Sequence, residues 1–323
     1  MRALVTGCAG FVGSTVVDRL LRDGHDVVGV DNFSTGHERF LQTASLSSHF
    51  RLIRADLLNN EMLLEATREV DTVFHFAANA DVRFGTDYPR RDFEQNALVT
   101  VNVLDAMRLN GCRRIAFSST GSVYGESSLI PTPEDAPMPI QTSLYGASKV
   151  AAEGFIEAYS EGFGIQSFIF RFVSLLGERY THGHVVDFFQ QLRKHPNTLH
   201  VLGDGKQRKS YLSIDDCVIA MMLALEKSTE RVNIFNLGTD EYCQVIDSVG
   251  WITQKLGVCP TLSYSGGRQG WIGDNPFIFL DCGRMRKFGW VPAKTIREAV
   301  ENTVEYLFRE EATLAAHSQD AAL

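Results

Sequence analysis

Nowhere does the sequence run through about 18 consecutive apolar residues, the length a bilayer-spanning helix needs,. Its opening MRALVTG has neither the long apolar core nor the small-residue cleavage site of a signal peptide,. A cytoplasmic protein without a membrane partner is expected. CxxC spacing is also missing: Cys8, Cys112, Cys217, Cys243, Cys259 and Cys282 are scattered, which argues against a zinc site or a disulfide framework and for small core residues,. Positive charge is in deficit, with a net charge of −8. Phosphate backbones are bound by clustered Lys and Arg, so a general affinity for nucleic acid is not expected. A small anion held by a few local arginines remains compatible with that balance. Internal repeats and low-complexity tracts are absent as well.

What is present is an ordinary globular composition, 44% hydrophobic and 22% charged over 323 residues, long enough for two lobes,. ALVTG, DVVGVDN, RLIRADL, DTVFHFAA, RRIAFSST and IQSFIFRF read as buried strands, alternating with helical patterns such as STVVDRLLRDGH and LVTVNVLDAMRLNG,. Near-continuous apolar strands alternating with helices predict a parallel sheet covered on both faces. Past Val173 the rhythm loosens through RYTHGH, VVDFFQQLRKH, GDGKQRKS and VNIFNLG. We expect an α/β chain in which a Rossmann-type doubly wound parallel sheet, residues 1–173, is rejoined by a segment near 211–250. Residues 174–323 are expected to form a smaller mixed α/β substrate lobe over the carboxyl edge of the sheet. The closing AAHSQDAAL reads as a frayed tail.

GCAGFVG puts Gly7, Gly10 and Gly13 between a strand and a helix, with Phe11 and Val12 opening that helix. Glycines there let the backbone approach a pyrophosphate, whose charge sits on the helix amino terminus. Asp31 closes the second strand, where its carboxylate can accept the ribose hydroxyls and repel a 2′-phosphate, so NAD is favoured over NADP. Asn32 and the stretch Ser34, Thr35, Gly36 offer no arginine for that phosphate, although Arg39 is not far away.

Between 118 and 149 come SSTGSVYGE and then LYGASK. A free tyrosine, with a pKa of about 10, is a poor base at neutral pH. Lys149 follows Tyr145 by four residues and shares its helix face, so its charge, with that of NAD, favours the phenolate. Thr120 closes the strand that precedes this pair. Ser118 and Ser119 can equally be strand-end residues that satisfy backbone groups.

The Gly-x-x-Gly-x-x-Gly spacing with this YxxxK pair resembles the short-chain dehydrogenase/reductase superfamily. By that resemblance Asp56 and Leu57 touch adenine, Ala77 and Ala78 lie beside the ribose, and Asn96 starts a long sheet-flanking helix. Ser118, Tyr145, Lys149, Phe172 and Val173 complete the implied cofactor set. The landmarks GCAGFVG, VDNFSTG, HFAA, SSTGSVYGE, LYGASK, FRFVSLLGER, GDGKQRKSYLSIDD and RQGWIGD extend it over about residues 1–290. They resemble the extended branch, nucleotide-sugar epimerases and dehydratases similar to UDP-glucose 4-epimerase, which keep NAD bound and hold the nucleotide sugar in the second lobe.

Within that branch the sugar 4,6-dehydratases carry Thr-Asp-Glu where this chain has Thr120-Gly121-Ser122, and uronate decarboxylases usually place Glu third. Elimination needs an acid and a base at C5 and C6, and no carboxylate stands at this spot. C4 epimerisation needs only removal of a hydride and a proton, rotation of the 4-keto sugar, and their return to the other face. A UDP-hexose or UDP-uronic acid 4-epimerase is therefore expected. Its rivals are a dehydratase, decarboxylase or keto-reductase on the same scaffold, and a non-catalytic NAD-binding sensor, which commonly lacks the tyrosine.

Three departures bear on the substrate. The family's Asn after the sixth strand is Ser174; a Thr-Arg pair is Arg208-Lys209; the arginine before Gly-Asp is Trp271, leaving Arg268 as its substitute. Arg208, Lys209 and Arg268 are the candidate diphosphate ligands, with solvated surface residues as the alternative. The resemblance implies that Thr120 donates or relays a hydrogen bond to the substrate oxygen that Tyr145 deprotonates, and Ser119 joins it as a candidate sugar contact. Arg83 faces the implied sugar region, where it can bind a uronate carboxylate or pair with Asp87 or Glu94. His182 and His184 lack the companions a metal needs, and no metal is expected. In the family, helices such as LVTVNVLDAMRL and VAAEGFIEAYS pair across a two-fold axis in a four-helix bundle, so a homodimer is expected.

Overall fold

The computed structural model describes residues 1–79, 88–138, 140–267 and 277–320, with side chains as far as Glu311. Arg83 and Arg268 lie outside the described residues. The six apolar runs form β1 (Arg2–Thr6), β2 (Asp26–Asp31), β3 (Phe50–Arg54), β4 (Thr72–His75), β5 (Arg114–Thr120) and β6 (Gln166–Phe172). Next along the chain come β7 (Ser174–Leu176), β8 (Thr198–Val201), β9 (Arg208–Lys209), β10 (Tyr211–Ser213), β11 (Val232–Leu237), β12 (Cys243–Gln244) and β13 (Thr261–Tyr264). The helices are α1 (Phe11–Arg22), α2 (Asn60–Ala66), α3 (Pro89–Asp92), α4 (Val99–Asn110) and α5 (Leu144–Phe163). They continue with α6 (His184–Lys194), α7 (Ile214–Lys227), α8 (Val245–Leu256), α9 (Gly283–Lys287) and α10 (Ile296–Asp320).

Seven strands build the main sheet in the order β11-β6-β5-β4-β1-β2-β3, every neighbouring pair parallel. The order reverses between β1 and β4, and ligands of such sheets bind beyond the carboxyl ends of the strands at that point. Side chains alternate across the strands and both faces are covered. On one face Ala3, Val5, Phe74, Ala116 and Phe168 pack against Val16 and Leu20 of α1 and Val218 and Met221 of α7. On the other, Leu4, Val28, Val73, Ile115 and Phe117 meet Leu63 of α2, Val103 and Met107 of α4, and Ala152 and Ile156 of α5. Burying each such side chain contributes about 1.5–3 kcal/mol. A separate cluster around Val185, Phe188, Leu199, Val249, Ile252 and Val300 fills the second half of the chain.

Some expectations change. The chain's end is not frayed where described: α10 runs to Asp320. Five cysteines are buried, but Cys259 is exposed. Asn96 does not start its helix. It sits inside a π-helical stretch, Phe93–Leu98, between α3 and α4, a local widening common at functional sites.

The loop after β5 is fastened to the far end of the chain. Thr132 N–H donates to Phe279 O (2.8 Å) and Asp281 N–H to Thr132 O (2.9 Å). Asn236, fully buried on β11, donates from Nδ2 to Thr132 O (2.9 Å) and Asp281 O (3.0 Å), and its Oδ1 accepts from Tyr124 OH (2.8 Å). These bonds bring the segment Phe277–Cys282 over the end of β5.

Candidate active site

The glycines make a cradle that larger residues would fill. Gly7 has φ +68°, and a Cβ there would lie 2.7 Å from Ala77 N. A Cβ on Gly13 would overlap the Gly7 carbonyl oxygen. Gly10 caps α1 without a side-chain hydrogen bond, leaving the first-turn N–H groups, those of Phe11 and Val12 among them, for an anion. Asp31, buried at the end of β2, accepts from Ala9 N–H (2.9 Å) and Phe33 N–H (2.8 Å), which orient its carboxylate. Gly36 approaches it so closely that a Cβ would stand 2.9 Å from Asp31 Oδ1. Arg39 is paired with Glu310, 2.9 Å away.

The remaining cofactor candidates rim the same edge. Asn32 Nδ2 donates to Asp56 Oδ2 (3.0 Å), and Leu57 is buried beside it. Ala77 N–H donates to Thr6 Oγ1 (3.2 Å), and half-buried Ala78 follows. Asn96 accepts from Asn79 N–H (2.8 Å) and donates to Ser148 Oγ (2.9 Å), which ties its helix to α5. Phe172 lies opposite Thr120 in the register, with buried Val173 next. Small residues, an oriented carboxylate and open helix N–H groups fit a dinucleotide.

Ser143 caps α5, its Oγ accepting from Gly146 N–H (3.0 Å), and so sets where the helix begins,. Tyr145 then stands in its first turn and Lys149 one turn on. Lys149 is only 2% exposed. Its Nζ donates to Ser118 O (2.8 Å) and lies 4.7 Å from the centre of the Phe117 ring. The Thr120 side chain approaches the Tyr145 phenol and favours its ionised form. Thr120 Oγ1 also accepts from Ser122 N–H (3.1 Å) and lies 3.2 Å from Ser122 Oγ. Tyr145, Thr120 and Lys149 therefore converge at the carboxyl end of β5.

Electrostatics depart from the simple expectation. Burial pushes Tyr145 up to about 12, against the Thr120 hydrogen bond and helped by the charge of Asp92. Lys149 is pushed down to about 7, first by burial, with the carboxylates of Glu153 and Asp92 opposing. The free chain alone thus leaves the Tyr145 phenol protonated at neutral pH. Desolvation is the largest influence, and nearby positive charge is what opposes it.

Several residues here went unnoticed in the sequence. Asp92, buried on α3, accepts from Asn79 Nδ2 (2.8 Å). Glu153 and Arg171 form a buried ion pair, 2.6 Å. Their partners lie far off in sequence, and only the alignment of Glu153 with Tyr145 and Lys149 at successive fourth positions could have signalled one of them. Gly121 also gains meaning: a Cβ there would lie 2.6 Å from Ile278 Cγ2, with Leu280 behind it.

Of the substrate candidates, Ser119 is buried and its Oγ donates to Glu153, away from the Tyr145 phenol. Ser174 pairs in register with Tyr211, two residues past Lys209. Arg208 is exposed and stacks over Phe277 (4.0 Å) and Tyr242 (5.6 Å). His184 opens α6, stacks on Tyr211 (4.7 Å) and contacts Ser248 Oγ (2.8 Å); burial pushes it down to about 3, so it is neutral.

A model of the NAD dependent epimerase/dehydratase family matches residues 3–238. UDP-glucose 4-epimerase of Mycolicibacterium smegmatis is 34% identical over 312 residues, covering 95% of this chain and 98% of the relative. UDP-glucuronic acid decarboxylase 1 of Arabidopsis thaliana is 35% identical over 314 residues, covering 94% and 69%. The solved structure of UDP-glucuronic acid 4-epimerase from Bacillus cereus, in complex with UDP-glucuronic acid and NAD, is similar at TM-score 0.88 and 28% identity, covering 96% of this chain and 99% of that one.

The cradle generates a paired prediction. Gly13→Ala is expected to lower dinucleotide affinity by tenfold or more, about 1.4 kcal/mol. Gly250→Ala, on α8 with nothing within 4 Å of the added methyl, is expected to raise stability by about 0.5–1 kcal/mol. Thermal unfolding with and without NAD reads both.

Proposed function

The chain belongs to the NAD dependent epimerase/dehydratase family, and from that premise we propose how its site works as an NAD-dependent UDP-sugar 4-epimerase. The reaction inverts C4 of a UDP-hexose or UDP-uronic acid through a transient 4-keto sugar. Similarity alone does not separate this chemistry from its neighbours, since a decarboxylase is as similar as an epimerase. The observation that carries the reading is the end of β5, where Thr120 meets Tyr145 and Lys149 while Gly121 is closed over by Ile278. A carboxylate at 121, as elimination across C5 and C6 requires, would collide with that isoleucine.

Each residue then has a task. Tyr145 takes the proton from the C4 hydroxyl and later returns one to the same oxygen. Thr120 holds that oxygen toward the phenol. Lys149, anchored by Ser118 O one helical turn away, supplies positive potential to the phenolate when it is protonated,. Bound NAD supplies the hydride acceptor and donor and adds its own positive charge. Gly7, Gly10 and Gly13 admit its pyrophosphate and Asp31 its ribose. Lys209 and Arg208 serve the substrate diphosphate, Lys209 as a point charge and Arg208 as a guanidinium held flat by Phe277 and Tyr242,. The roles of Arg83 and Arg268 rest on sequence alone.

We assign residues 1–173 with a segment near 211–250 to the NAD domain, and the rest of 174–323 to the sugar-nucleotide lobe. The position of β11 beside β6 supports the rejoining segment, and the separate apolar cluster around Val185 supports a second lobe, which also takes in Tyr211, Cys243 and Val249 from that segment. No helix among the described residues is long and apolar enough to cross a membrane. Six free thiols suit the reducing cytoplasm in which we place the protein,. Exposed apolar residues on α4 and α5, Leu109, Phe155 and Phe163, support a homodimer through a four-helix bundle,.

Tyr145→Phe is expected to lower turnover by roughly 10²–10⁴-fold with NAD still bound, measured by NMR of UDP-sugar mixtures; turnover within threefold of wild type would remove the tyrosine from the mechanism. Light scattering at micromolar concentration should give twice the chain mass, and Phe155→Glu should return the monomer. A monomeric wild type would exclude the bundle.

A further inference from the structure

Beneath the proposed catalytic pair lies a second set of charges that the C4 inversion chemistry does not use. Along α5, Tyr145, Lys149 and Glu153 succeed one another at every fourth residue and so face the same way. Two of them grip consecutive residues of β5: Lys149 Nζ donates to Ser118 O (2.8 Å), and Ser119 Oγ donates to Glu153 Oε1. Glu153 is 1% exposed and is matched from β6 by Arg171, equally buried. Arg171 donates from Nε to both carboxylate oxygens (3.1 Å each) and from Nη2 to Oε2 (2.6 Å). Its remaining Nη1 donates to Tyr124 OH (2.8 Å) and Glu134 O (2.9 Å). A buried pair of this kind is costly to build, yet here the carboxylate is held from three directions one helical turn from a buried ammonium.

We infer that Glu153, locked in place by Arg171 and Ser119, is the counter-charge that keeps Lys149 protonated beneath Tyr145, a positioning residue for the reaction. The inference rests on the epimerase reading only in its effect on turnover. Lys149 is faced by Glu153 and Tyr145 from its own helix, by Asp92 from α3, by His75 from β4 and by Arg171 behind Glu153 on β6. His75 is neutral, pushed down to about 3 first by burial and then by Lys149, and it is held between Thr6 Oγ1 (2.8 Å) and Thr100 Oγ1 (3.0 Å). The anions are thus Glu153 and Asp92, and of the two Glu153 opposes the burial of Lys149 more strongly. Removing it leaves a buried ammonium with less to hold its proton. The amine then deprotonates at lower pH, and support for the phenolate is lost there.

The test compares NAD-bound wild type with Glu153→Gln, each carrying 13C at lysine Cε, the Lys149 resonance being assigned by its loss in Lys149→Arg. The expected result is a Lys149 midpoint lower by about one pH unit, a tenfold loss of proton affinity, with the alkaline limb of kcat moving to lower pH by the same amount. Glu153→Asp should restore most of both. If Glu153→Gln alone does not fold, Glu153→Gln with Arg171→Met removes both buried charges together, and a smaller shift in the same direction is expected, because the repulsion from Arg171 is lost with the attraction of Glu153. A Lys149 midpoint within 0.2 units of wild type in a folded variant overturns the inference, even if turnover falls. The titration is read without turnover, so absence of C4 inversion by the wild type counts against the epimerase reading and leaves this result to be judged by itself.

Discussion

A lysine with almost no access to water is the constraint around which the site is arranged. A buried ammonium loses most of its hydration, and Lys149 meets that cost with one backbone carbonyl, one aromatic ring and two nearby carboxylates. The carbonyl is that of Ser118, so the same bond that holds the lysine fixes the end of β5, where Thr120 presents its hydroxyl to Tyr145. The cap of Ser143 sets the start of α5 and therefore which residue falls in the first turn. Sheet register, helix start and buried charge together bring Thr120, Tyr145 and Lys149 to the carboxyl end of β5.

The same edge of the sheet explains why closely similar proteins can run different reactions. In the proposed reaction, oxidation at C4 uses Tyr145, Thr120, Lys149 and the bound dinucleotide, and the fate of the 4-keto sugar depends on which further groups reach C5 and C6. Here the position after Thr120 is closed by Ile278, which arrives from the far end of the chain because Thr132 and Asn236 fasten Phe277–Cys282 in place. Excluding a carboxylate is thus a property of packing as well as of the residue at 121. A single substitution to Asp would need room that the isoleucine occupies.

Much of this was legible in advance. Strands buried on both faces are near-continuous apolar runs, so six of the seven sheet strands stood out. VNIFNLG is just as apolar and lies in the segment near 211–250 expected to rejoin the first domain, but it follows a long excursion and nothing local marks β6 as its neighbour. The glycine cradle and the Tyr145–Lys149 spacing were readable because each depends on neighbours in sequence. Arg171, 18 residues from Glu153, and Asn236, 104 from Thr132, depend on the fold for their partners, and no spacing rule announces them. The direction of Tyr145's shift was also hidden. Charge and spacing are written in the sequence, whereas the desolvation that outweighs them exists only once the helix is packed.

The central claim is that one carbon of the sugar loses and regains its hydrogen without exchange with water. It is tested most directly by giving the enzyme a UDP-sugar deuterated at C4 and tracking the product by NMR. The account predicts an inverted C4 that still carries the deuterium, with none released to solvent. Deuterium found at C6 of a deoxy-keto product, as elimination would leave it, or loss of the label to water would contradict it.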